Sequence, residues 1–111
     1  MSKITLAGKE YDWSFKFKAQ RKFEELTKLN SIQILEILQD VEKKGLPFEF
    51  VLKMAFCGLY AQDSKLTIEK VEDILDSGSG KDLSEIIMRY NSDMGQYLSI
   101  KTDPNELSQT A

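Results

Sequence analysis

The residues best placed by type and spacing to do chemistry lie between Asp76 and Asp82. Ser77-Gly78-Ser79-Gly80-Lys81 comes near a phosphate-binding loop. That chemistry needs glycine-rich backbone N–H groups around the phosphates, a lysine on them, and a hydroxyl on the metal ion. Here the pattern's first glycine falls on Leu75 and its hydroxyl on Asp82, whose carboxylate repels phosphate. A calcium loop opening at Asp76 fails as well. It puts Gly78 and Gly80 where oxygen-bearing side chains belong, and Ile87 where the bidentate acid belongs. The stretch reads as a flexible link.

Other candidates weaken in the same way. Asp63-Ser64 touches the serine attachment site of acyl carrier proteins, but Lys65 stands where that site needs leucine. The paired acids Glu24/Glu25 and Glu72/Asp73 are neighbours in sequence, so on a helix they point in different directions and make no acid–base couple. Cys57 is the single cysteine and the chain has no histidine. A nucleophilic thiol therefore lacks its usual base, and an internal disulfide and a Cys/His zinc site are excluded. Lys16, Lys18, Arg21 and Lys22 form the one basic cluster, the sole candidate for nucleic-acid contact. It lies beside Glu24 and Glu25 in a chain of net charge −3, so a solvated helix face is the expected reading. No catalytic, cofactor-binding or metal-binding residues are assigned, and a non-enzymatic role is expected.

Length and composition suit one folded domain of 111 residues, 41% apolar and 30% charged. Residues 1–30 carry seven basic against four acidic side chains, and residues 31–111 carry eight against fourteen. That asymmetry can orient a partner or a second copy. No apolar run has the length of a signal peptide core or a membrane span, so a soluble, cytoplasmic protein with no membrane or nucleic-acid partner is expected.

The elements that must position these residues follow from periodicity. Ile4 and Leu6, then Tyr11, Trp13, Phe15 and Phe17, alternate with polar residues on either side of Ala7-Gly8, which predicts a β-hairpin over 3–17. Helical spacing then predicts helices over about 18–29, 31–44, 47–61, 68–76 and 82–99, with a flexible tail over 101–111. Ser31 and Thr67 are the expected N-caps, and Asp82 with Glu85 has capping-box spacing. The second helix is expected to bury Ile34, Leu35, Leu38 and Val41. The third, Pro47 to Ala61, is apolar nearly all round and must be surrounded. Its stripe Phe48, Val51, Leu52, Ala55, Leu59 is expected to be core, and Gly58 to let another backbone approach. The fold class is mainly α (α+β): an N-terminal hairpin packed on a bundle of four to five helices within residues 1–100.

One set of segments goes further. Lys3-Ile4-Thr5-Leu6-Ala7-Gly8-Lys9-Glu10-Tyr11, Trp13 to Phe17, Phe23-Glu24-Glu25-Leu26-Thr27, and Leu66 to Leu75 together resemble the tail assembly chaperones of long-tailed bacteriophages and prophages of Gram-positive hosts. The resemblance runs over residues 3–76. It implies a protein that binds the tape measure protein, keeps it soluble and helps recruit tail tube protein, in the host cytoplasm and with self-association. A contact surface is expected from Phe50, Met54 and Cys57 with Met94 and Tyr97, the methionines supplying adaptable apolar area. Whether Phe50, Met54 and Cys57 are covered by the last helix or by another protein is open on sequence grounds. The other functional classes are a small self-associating regulatory or adaptor protein and, behind it, a nucleic-acid-binding module.

Overall fold

The chain begins with two antiparallel strands, β1 (Ser2–Leu6) and β2 (Lys9–Trp13), with Ile4 opposite Tyr11 and Lys3 opposite Asp12. The structure, a computed structural model, describes the backbone of residues 2–101 and the side chains of 3–40 and 43–95. Ala7 and Gly8 form the turn, with φ of 53° and 77°. This mirror-image geometry matches the twist of the strands. Glycine enters it freely, whereas alanine meets a steric penalty of about 1–2 kcal/mol. The N–H of Ala7 is held by the Asp82 carboxylate at 3.1 Å, across 75 residues of sequence.

The hairpin is shorter than periodicity suggests. β1 has five residues, so the chain beyond Trp13 has no strand to pair with. Ser14 N–H instead donates to the Gly58 carbonyl at 3.0 Å, steering the chain over the helix that carries Gly58. Phe15 stays buried, but Phe17 opens a helix and is 60% exposed, so the expected four-aromatic face ends one member early.

Six helical segments follow: α1 (Phe17–Thr27), α2 (Ser31–Gln39), α3 (Val41–Lys44), α4 (Phe48–Tyr60), α5 (Ile68–Asp76) and α6 (Gly80–Lys101). With the hairpin they give the expected mainly helical architecture. The predicted tail beyond residue 101 lies outside the described residues.

Several boundaries move for physical reasons. α1 stops at Thr27 because Lys28 turns into the left-handed region (φ 61°), its N–H donating to the Glu24 carbonyl at 2.8 Å. Asn30, not Ser31, caps α2: its side chain accepts from Gln33 N–H while the Gln33 side chain accepts from Asn30 N–H, each at 2.9 Å. Asparagine offers the carbonyl that the reciprocal box needs one residue earlier. The predicted helix over 31–44 breaks at Asp40 (φ −92°, ψ 3°), whose carbonyl restarts the ladder by accepting from Lys43 and Lys44 N–H. Thr67 caps α5 as expected, accepting from Lys70 N–H at 3.3 Å.

α6 begins before the predicted Asp82. Ser79 Oγ accepts from Lys81 N–H at 3.3 Å, and Asp82 Oδ2 accepts from Ser79 N–H at 3.0 Å. Asp82 is therefore the returning carboxylate of a box opened by Ser79, rather than the cap itself.

α4 lies at the centre and packs on β2, α1, α5 and α6. From Phe50 to Leu59 all its residues except Lys53 are buried. Gly58 is needed here because a Cβ would collide with the six-membered ring of Trp13. The close approach expected at this glycine is thus made by an indole face, beside the Ser14 hydrogen bond. On its other edge the indole N–H donates to Asp93 of α6 at 2.6 Å. Trp13 thereby joins hairpin, α4 and α6.

The aromatic core continues from it. Phe15 meets Tyr90 edge-on at 4.7 Å between centroids, and Phe23 meets Phe50 at 5.1 Å. Such pairs add about 0.5–1.5 kcal/mol each beyond the area they bury. Tyr90 Oη donates to Gln20 Oε1 at 3.0 Å, and burial pushes the phenol up to about 12.

Candidate docking surfaces

Three of the five residues expected to make contact are not at the surface. Phe50, Met54 and Cys57 are all buried. Phe50 is covered by Phe23 of α1. Met94 is half-buried against the core, and the Tyr97 side chain lies outside the described residues. The physical reason is the central position of α4: from Phe50 to Leu59 both of its apolar stripes find partners within the chain. Cys57 behaves as a small buried hydrophobe, and burial pushes its thiol up to about 12, far from a reactive thiolate.

The apolar area left in water belongs to other residues. Phe48, expected in the core, is 79% exposed, and Ile32 of α2 is 68% exposed. Leu35, also expected to be buried, is 47% exposed. Phe48 sits in the first turn of α4, before the helix enters its surround. In α2 the apolar residues Ile32, Ile34, Leu35, Ile37 and Leu38 span more than one face. Ile34 is buried, Ile37 and Leu38 are half-buried against the core, and Ile32 and Leu35 face outward. Val41, the last of the expected stripe, has a side chain outside the described residues.

Two concave regions lie near opposite ends of α4. At its N-terminal end, a groove of about 380 Å³ is formed with α5 and α6. Its apolar lining is Phe48, Leu52, Leu75 and Leu83, and the charged residues that line it are acidic: Glu49, Glu72 and Asp76. Glu49 pairs with Lys53 at 3.4 Å. Among the described residues, Glu72 and Asp76 enter no ion pair.

At the C-terminal end, a cleft of about 300 Å³ separates α1 from α4. Small residues, Ala19, Cys57 and Ala61, give it depth, and Phe17 and Tyr60 contribute rings. Lys18, Arg21 and Lys22 surround it with Glu25 as the one acid. Lys22 lies 3.8 Å from Glu25 and 5.7 Å from the Tyr60 ring centroid. Of the basic cluster read from sequence, these three come together at the cleft; Lys16 is exposed just before α1.

The candidate chemical residues stay apart. Asp82 serves the Ala7 turn and the start of α6, and Asp63 Oδ1 accepts from Lys65 N–H at 3.1 Å. Among the described residues, no three His, Cys, Asp or Glu side chains gather to hold a metal ion. No helix among them is long and apolar enough to cross a membrane.

Periodicity had a signal for the α2 face that was outweighed. SIQILEILQ carries five aliphatic residues in nine, more than a single buried stripe needs. Comparison with protein-family models, curated proteins and solved structures finds no match to this chain.

Proposed function

We propose that this protein is a tail assembly chaperone of long-tailed phages or prophages, a non-catalytic binder of the tape measure protein that also helps recruit tail tube subunits. The segments that resemble that family supply the hairpin, α1 and α5, which frame the central helix. The observation that carries the reading is the outer face of α2. Ile32 and Leu35 keep 68% and 47% of their surface in water while Ile34 anchors the same helix in the core.

A long helical client presents repeating apolar stripes that aggregate when bare. A neutral aliphatic face on a helix can cover such a stripe in helix-against-helix fashion. Glu36 is the only charged residue within α2, so the face does not select strongly by charge. That suits many successive sites along one client. Two exposed aliphatic side chains give weak, exchangeable contacts, at about 1.5–3 kcal/mol for each one fully buried. A chaperone that must leave needs contacts of that size, with affinity built from many copies acting together.

The test is co-expression with a tape measure fragment. The wild-type chain is expected to keep the fragment soluble and to co-purify with it. Ile32→Asp with Leu35→Asp, folded by circular dichroism, is expected to lose both properties. Full binding by that variant removes α2 as the contact, and failure of the wild type to bind or solubilise any tape measure segment overturns the function.

A further inference from the structure

We infer that the outer edge of β2 takes up an extended, lysine-bearing segment of another protein as an added strand. The surface is separate from the α2 face, and the inference stands without the client proposed above. It starts from the register. The two-residue turn closes on Leu6 opposite Lys9, and such a closing pair exchanges both of its backbone hydrogen bonds. Bonded and unbonded pairs alternate along an antiparallel ladder. Ile4 and Tyr11 are therefore bonded, while Thr5, Glu10, Lys3 and Asp12 turn their N–H and C=O groups outward. Two contacts agree with that phase. The Lys3 carbonyl accepts from Arg89 of α6 outside β1, and Ser14, two residues beyond Asp12, donates outward to the Gly58 carbonyl.

α6 thus lies along the β1 edge, and α4 closes the β2 edge at Ser14. Nearer the turn, the outward N–H and C=O groups of Glu10 and Asp12 meet no hydrogen-bond partner among the described residues. An open edge is a template for another chain. Beside it opens a cleft of about 270 Å³, with Tyr11, Leu59 and Leu66 as its apolar part and Glu10, Asp12 and Asp63 as its charged part. The side chains of an added strand alternate between the two faces of the sheet. Those beside Tyr11 share the face of the buried Ile4 and Trp13 and meet Leu59 and Leu66; those beside Glu10 and Asp12 stand next to carboxylates.

Charge identifies the occupant. Glu10 and Asp63 enter no ion pair among the described residues, and Asp12 has Lys3 at 2.7 Å on the β1 side. A segment that alternates lysine with aliphatic residues sets an ammonium group beside each acid of the edge and an apolar side chain in the cleft. A second copy pairing through the same edge would instead bring Glu10 and Asp12 against their own kind, and like charges directly opposite are unfavourable. The main chain supplies the affinity and the alternation supplies the choice, as in other cases of strand addition.

The probe is a capped peptide of alternating lysine and valine, titrated into the isotope-labelled full chain. Bound peptide is expected to slow hydrogen exchange at the Glu10 and Asp12 amides by about tenfold or more. Only every second N–H of an added strand faces its neighbour, so methylating alternate peptide nitrogens is expected to weaken binding by about tenfold or more in one phase and to spare it in the other. Glu10→Pro removes an outward N–H at an edge position where proline is tolerated, and is expected to stay folded by circular dichroism and lose the peptide. Glu10→Lys with Asp12→Lys keeps every backbone donor and is expected to exchange the lysine peptide for its glutamate counterpart. Unchanged exchange at Glu10 and Asp12, equal binding of both peptides by the wild type, or indifference to methylation in both phases overturns the inference. So does a wild-type dimer that Glu10→Pro dissolves, which assigns the edge to a second copy.

Discussion

α4 and α2 are the two helices of this chain with the most apolar sequences, and they end in opposite situations. α4 is enclosed by the hairpin, α1, α5 and α6, and its polar interruption, Lys53, reaches Glu49 at its rim. α2 is tied down by Ile34 and leaves Ile32 and Leu35 in water. The difference lies in the neighbours. α4 has a glycine that admits an indole and a hairpin on one side of it, whereas α2 hangs between a capped start at Asn30 and a break at Asp40. Apolar composition states a demand for cover; topology decides whether the chain itself meets it.

The sharpest way to test the contrast is a matched pair of truncations. Met54→Ala is expected to lower unfolding free energy by about 2–5 kcal/mol, the range for emptying a packed core site. Leu35→Ala should change it by less than about 1 kcal/mol, because half its surface is already in water. Urea titration of both variants reads the difference, and equal losses would erase the distinction between the helices.

Gly58→Ala attacks the cause of α4's enclosure. The added methyl must displace the Trp13 ring, and overpacking of this kind costs about 1–3 kcal/mol. Trp13 is the only tryptophan, so the same titration followed by its fluorescence should show a changed native signal as well as a lower midpoint. An unchanged spectrum would mean that the indole does not lean on Gly58.

The smallest expected effect lies at the other side of that enclosure, where Asp82 holds the hairpin turn. Ala7→Gly relieves the positive φ at no loss of the N–H to Asp82. A glycine also enlarges the unfolded ensemble, so the net gain is expected to stay below about 1 kcal/mol, read as a slightly higher urea midpoint. A loss of stability would show that the turn does not strain Ala7.

Much of the fold was legible because its signals are local. The alternation around Ala7-Gly8, the Thr67 cap and the helical spacing of Val71 and Ile86 each depend on residues close in sequence. What was hidden depends on distant ones. Phe17 continues the alternation of Trp13 and Phe15, yet no β1 residue remains to pair there, so the helix takes it. Asp82 reads as a cap, and only folding reveals that its carboxylate also serves residue 7.

The candidate surface was less legible for the same reason. Phe50, Met54 and Cys57 stood out for their apolar character, which is also what makes a residue buried. The exposed set could be separated from them only by knowing that Phe23 lies over Phe50 and that Leu35 keeps half its surface in water.

The indole of Trp13 reaches Asp93, and the turn at Ala7 reaches Asp82, so the hairpin is completed by a helix made much later. During synthesis from the N-terminus, the hairpin emerges long before α6 exists. Until Asp82, Tyr90 and Asp93 have been added, the nascent chain holds Ile4, Leu6, Trp13 and Phe15 without their final cover. The molecule is thus expected to mature in a single late step, and a ribosome-bound chain stopped before α6 should be open to proteases along its first strands.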